Sequence, residues 1–259
     1  MITANILLYK SCLQRIADAL MINGGFLDNP GLYSGEIGVA LFFFQYDRFT
    51  QNELYMEYGY ELIERIQGSI HAKTPVDYKT GITGIGAAIE YLAQNGYVEA
   101  DTDEILEDFD SRIFSGQHVS QLSEEEIKGV AYYAIWRIAG SPLKRGHILN
   151  ALLPKIIKVI ERRHSGHEKS HSALPFLKSI AAKTTSVNHL YNKDLPCHSC
   201  LPDDVEKILN KDLNKLELGV ENGLAGMGLS LITELTGDSS WTSLFPDDYI
   251  QTVNSCLYN

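Results

Sequence analysis

The sequence predicts an all-α chain, an (α/α) toroid of about five helical hairpins whose inner helices are led by glycine-rich turns. Three observations carry that expectation. A glycine pattern recurs at a regular interval. Each recurrence is followed by a short, almost wholly apolar run. Longer amphipathic stretches fill the intervals, and no convincing alternation of the strand type is present.

Three segments share the glycine pattern. They are Gly31-Leu32-Tyr33-Ser34-Gly35-Glu36-Ile37-Gly38, Asp77-Tyr78-Lys79-Thr80-Gly81-Ile82-Thr83-Gly84, and Gly219-Val220-Glu221-Asn222-Gly223-Leu224-Ala225-Gly226. Gly35 and Gly81 are 46 residues apart, and Gly81 and Gly223 are 142 apart, about three times that period. Two degenerate units are therefore expected near residues 128 and 175. At the first stands Lys128-Gly129, which keeps one glycine. At the second stands His171-Ser172-Ala173, which keeps none.

The apolar runs are Val39 to Tyr46, Ile85 to Leu92, Val130 to Ile138, Leu174 to Ala182 and Met227 to Thr233. A helix apolar on nearly all sides must be buried, so these are the expected inner helices. The amphipathic stretches are the expected outer ones: residues 1 to 22, Glu53 to Ile70, Thr102 to Phe114 and Leu149 to Arg163. Each pair buries the face its neighbour exposes. The glycines are expected to supply positive φ in tight turns and to let helix ends crowd together. Ser123 followed by Glu126 reads as a capping box. Asp101, Asp103 and Glu104 read as a helix start.

Length and charge narrow the function. At 259 residues and 44% hydrophobic content, one domain over residues 1–259 is the simplest organisation. A formal net charge of −11 disfavours nucleic acid and tolerates a basic peptide partner. No apolar stretch is long enough to span a bilayer, and the N-terminus lacks the layout of a signal peptide, so a cytoplasmic location and no membrane association are expected. Four cysteines, Cys12, Cys197, Cys200 and Cys256, are too sparse for a disulfide framework.

The three glycine segments resemble the repeats of the lanthionine synthetase C-like family, over roughly residues 30 to 235. Full-length members have seven inner and seven outer helices, and this chain shows about five units. The resemblance implies an activity in which a cysteine thiol adds to a dehydrated Ser or Thr of a ribosomally made precursor peptide. It implies a precursor peptide or a modification-enzyme partner. It also implies a zinc ion held by two cysteines and a histidine, with a histidine and an aspartate assisting proton transfer. A non-catalytic toroid that binds peptide or acts as a scaffold without zinc is the alternative. A carbohydrate-active toroid would need paired carboxylates at one mouth, where Glu36 and Asp77 lie near glycine turns.

The candidate metal ligands are Cys197, His198 and Cys200. Cys-x-x-Cys has the spacing of half a zinc site; it can equally be a redox pair or two free surface thiols. It stands 26 residues before Gly223, about half a repeat from the turns where the family keeps its ligands. The catalytic candidates are Asp77 and His171. Asp77 matches a family pattern of an aspartate four residues before the turn glycine, and it also reads as a helix-capping charge. His171 closes the cluster His164, His167, His171, which otherwise reads as a solvated helix end and loop.

Overall fold

The computed structural model describes residues 2–114, 121–164, 173–182, 205, 210 and 212–246. All regular structure among them is helical. The chain divides into two compact units, 1–72 with 193–259, and 73–192.

In the first unit, helix α1 (Ile2–Asn23) is followed by α2 (Glu36–Thr50) and α3 (Glu53–Ser69). Every residue of α2 from Glu36 to Tyr46 is buried. In α3 the buried positions are Tyr55, Gly59, Leu62 and Ile66, a single stripe at helical spacing. Inner and outer helix are thus distinguished by the width of the apolar face, as expected. The two lie close because Gly59 leaves room for the Phe44 ring, 3.1 Å from where a Cβ would stand. Aromatic pairs complete the contact: Phe43 with Tyr58 at 4.7 Å and Tyr46 with Tyr55 at 4.5 Å between ring centres.

The same unit contains the last glycine repeat. Its helix, Leu224–Thr236, packs against α1 and α2. Gly228 admits the Phe42 ring, 2.3 Å from a notional Cβ. The two loops ahead of these inner helices also meet. The Tyr33 carbonyl accepts from the amides of Val220 at 2.7 Å and Glu221 at 2.8 Å. Gly219 is needed there, because a Cβ would fall 2.5 Å from Ser34 Cα.

The second unit holds α4 (Ile82–Gln94), α5 (Thr102–Ile105), α6 (Glu107–Ile113), α7 (Glu124–Gly140), α8 (Pro142–His147), α9 (Leu153–His164) and α10 (Ala173–Ala181), with one π-helical turn, Ile148–Leu152, between α8 and α9. Continuing this order, the Leu224–Thr236 helix is α11. Helices α4 and α7 are the buried inner pair. Gly86 of α4 lets the Tyr133 ring of α7 approach to 2.5 Å of a notional Cβ.

Two expectations about the glycines are corrected. The turn glycines do not need positive φ. Gly35, Gly81 and Gly223 have φ of −119°, −108° and −131°, which any residue can adopt. They are glycines because the loop folds back over them. A Cβ would lie 2.2 Å from Asn29 O at Gly35, 2.4 Å from Pro75 O at Gly81 and 2.4 Å from Gly219 O at Gly223. Positive φ falls instead on Asn222, at 62°, a residue type that tolerates it. The second correction concerns Lys128-Gly129, which forms no turn. The Ser123 capping box starts α7 earlier, with Ser123 Oγ accepting from the Glu126 amide and the Glu126 carboxylate reaching back to the Ser123 amide. Gly129 sits inside that helix, where a Cβ would stand 2.8 Å from Thr83 Oγ1 and 3.1 Å from the Tyr78 amide nitrogen.

Alanine substitutions should separate these roles. Gly81→Ala should cost about 3 kcal/mol or more, because backbone must move. Gly96→Ala, at φ +66° but with nothing within 4 Å of a Cβ, should cost about 1 kcal/mol. Gly68→Ala, also with open space, should be neutral or stabilising by up to about 1 kcal/mol. Urea denaturation of the three variants gives the order.

Candidate functional site

The loops before α2, α4 and α11 share one geometry. The first amide of each helix donates to the carbonyl seven residues earlier: Glu36 to Asn29 at 2.8 Å, Ile82 to Pro75 at 2.9 Å, and Leu224 to Glu217 at 2.8 Å. Each loop thereby satisfies a helix-end donor that would otherwise be orphaned. Side chains close the first two loops. Asn29 Oδ1 accepts from the Gly31 amide at 2.8 Å, and its Nδ2 donates to Ser34 Oγ at 3.1 Å.

Asp77 closes the second loop, and it is the sequence-predicted site residue that the structure places. Its Oδ1 accepts from the amides of Lys79 at 2.9 Å and Thr80 at 2.8 Å. Its Oδ2 accepts from Thr80 Oγ1 at 2.8 Å. The side chain is half-buried. The carboxylate therefore shapes the turn that launches α4, as a capping residue does. His171, Cys197, His198 and Cys200 lie outside the described residues, so nothing is brought together with Asp77 from that set. Among the described residues, no group of three His, Cys, Asp or Glu side chains is placed to hold a metal ion.

Beside the first loop a cleft of about 310 Å³ opens. Leu27, Asp28 and Pro30 of the loop form one wall, Glu36 of α2 the floor, and Arg65 and Gly68 of α3 the other wall. The Glu36 side chain is 5% exposed and pairs with Arg65 Nη2 at 2.6 Å. Arg65 also donates to the carbonyls of Gly25 at 3.0 Å and Gly24 at 3.5 Å. Burial pushes the Glu36 carboxyl above its ordinary range; Arg65 opposes that shift and Asp28 adds to it.

The second unit holds a buried ion network that the sequence reading missed. Arg137, fully buried in α7, pairs with Glu90 of α4. It also pairs with Asp110 of α6 at 2.8 Å and Asp103 of α5 at 2.9 Å. Tyr133 donates to Asp110 at 2.7 Å, Ser141 to Asp103 at 2.9 Å, and Lys144 reaches Asp110 at 3.3 Å. Burial would raise the Asp103 carboxyl. Hydrogen bonds from Ser141 and Arg137 and the charges of Arg137 and Lys144 outweigh it and hold the group below its ordinary range. A Cβ on Gly140 would stand 1.9 Å from Glu90 Oε2, so that glycine makes room for the network. A signal for it was present in the sequence. Glu90 and Arg137 are lone opposite charges inside consecutive inner-helix runs, 47 residues apart, close to one repeat. Asp103 lies in the first turn of α5, as expected of a helix-start charge, and also joins this network. The cap there is Asp101, which accepts from the Asp103 and Glu104 amides.

Asp77→Ala strands two amides and a hydroxyl, and should lower stability by about 1–2 kcal/mol in denaturant titration. Asp77→Asn keeps an Oδ1 acceptor for both amides and should lose less. Arg137→Met leaves Glu90 buried without its cation and should cost about 3–5 kcal/mol. The double variant Glu90→Gln with Arg137→Met should recover part of that loss, which thermal unfolding of the three proteins would show.

No curated protein and no solved structure matches the chain significantly. A family model described as lanthionine synthetase C-like protein matches residues 27–175, more than half of the chain. That span takes in the first two glycine loops, their inner helices, and α7 with its ion network. The chain belongs to the lanthionine synthetase C-like family.

Proposed function

We propose that this protein is a lanthionine cyclase-like member of its family that acts on a ribosomally made precursor peptide, adding cysteine thiols to dehydrated Ser or Thr. The observation that carries the reading is the glycine loop itself. The same backbone closure precedes α2, α4 and α11, and the first two instances lie inside the family match. The reading includes a single (α/α) toroid over residues 1–259 with about five hairpins, in a cytoplasmic setting. The hydrogen bonds between the first and last glycine loops support it, because a closed ring needs those repeats side by side.

The sulfur, nitrogen and sulfur donors of Cys197, His198 and Cys200 suit zinc by their chemistry. Zinc held there would lower the pKa of a substrate cysteine and favour its thiolate. Asp77 and His171 are the proposed proton-transfer residues. The protein's own part is to hold the peptide and to position those two groups.

A second reading is favoured by one specific observation. The Asp77 carboxylate is occupied on both oxygens by its own turn, as suits a non-catalytic toroid that binds peptide as a scaffold. Elemental analysis of natively purified protein tests the two. The cyclase reading expects near-stoichiometric zinc, lost in Cys197→Ala and Cys200→Ala. Metal-free protein that still binds a Ser-, Thr- and Cys-containing precursor peptide would overturn it in favour of the scaffold.

A further inference from the structure

The cleft beside the first glycine loop lies outside the residues proposed for chemistry. Its floor is a carboxylate that is almost wholly buried, Glu36, and Asp28 supplies a second carboxylate on the loop wall. Arg65 contributes one positive charge, so the walls carry a formal charge of minus one. The Arg65 donors are shared among Glu36 and the carbonyls of Gly24 and Gly25. Gly68 and Ser69, the last two residues of α3, also line the cleft. The C-terminal end of a helix carries partial negative charge from its last carbonyls and favours a cation. Leu27 and Pro30 add apolar wall. At about 310 Å³ the space is at the small end of ligand sites, which run roughly 300–1,000 Å³. That suits one long side chain.

We propose that this cleft receives a basic side chain of the peptide, its ammonium or guanidinium lying against Glu36 and Asp28 and its methylene stem against Leu27 and Pro30. The proposal rests on the peptide-directed function above and names a recognition element for it. The raised Glu36 carboxyl agrees with a site that a second cation would relieve. The chain's net charge of −11 favours a basic partner at longer range. Such a subsite would hold the peptide at the glycine-loop end of the α2–α3 hairpin.

The test uses two fluorescein-labelled hexapeptides that differ only in a central arginine or citrulline, titrated into the full-length protein by fluorescence anisotropy. The arginine peptide is expected to bind about tenfold tighter, the worth of one charge-assisted hydrogen bond. The difference should shrink as salt rises and in Asp28→Asn. Gly68→Leu should abolish it without lowering thermal stability, because a side chain there meets open space and enters the cleft. Equal affinity for the two peptides overturns the proposal, as does unchanged discrimination in Gly68→Leu. A Ser-, Thr- and Cys-containing precursor peptide separates this from the wider function. If it binds wild type and Gly68→Leu equally well, the cleft assignment falls while the peptide function stands. If it fails to bind while arginine and citrulline are still discriminated, the cleft assignment stands without that function.

Discussion

A carbonyl oxygen packed directly against a glycine Cα, at the N-terminus of an inner helix, is the contact on which the rest of this structure depends. At Gly35, Gly81 and Gly223 the loop before the helix turns back so tightly that a methyl group would stand 2.2–2.4 Å from backbone oxygen. The tight return lets the helix's first amide reach a carbonyl seven residues back. Because the helix end is satisfied internally, the inner helix can be buried along nearly its whole length without stranding polar backbone. Glu36 to Tyr46 shows the result: eleven consecutive buried residues beginning at the first helical position.

That loop also determines what can lie near the helix ends. Its side chains are spent on holding it, with Asn29 closing the first loop and Asp77 the second. A carboxylate used this way is well positioned but engaged, and any chemistry asked of Asp77 has to compete with three hydrogen bonds. The third unit does without the loop. A Ser123 capping box satisfies the start of α7, and Gly129 is kept for close approach to the second loop. Loss of a glycine turn thus leaves the buried helix intact.

The Arg137 network solves a different problem. Helices α5 and α6 are short, four and seven residues, with one buried residue each. Asp103 and Asp110 tie them to the fully buried guanidinium of α7, which also holds Glu90 of α4. Such a network adds little net stability over an apolar core of the same shape. It does penalise any other arrangement of those helices, because every misplacement leaves a buried charge unpaired.

Sequence alone determined the elements and their rank. The all-helical character, the buried helical runs after Gly35, Gly81 and Gly223, the single-stripe helix Glu53–Ser69 and the Ser123 capping box were legible, because each depends on residues within a few positions along the chain. Asp77 was legible as a residue at a turn for the same reason. Tertiary structure decided why the glycines are glycines, and corrected positive φ to steric closeness, since the oxygen that excludes a Cβ belongs to backbone folded back by the loop. It also decided that Lys128-Gly129 is helix, that Glu90, Asp103, Asp110 and Arg137 form one cluster, and that Glu36 floors a cleft with Arg65. Those facts depend on groups 27 to 47 residues apart in the network and on Glu36 meeting Arg65 across two helices. Periodicity reports which face of a helix is buried; it carries no record of which charge on the next helix will meet it there.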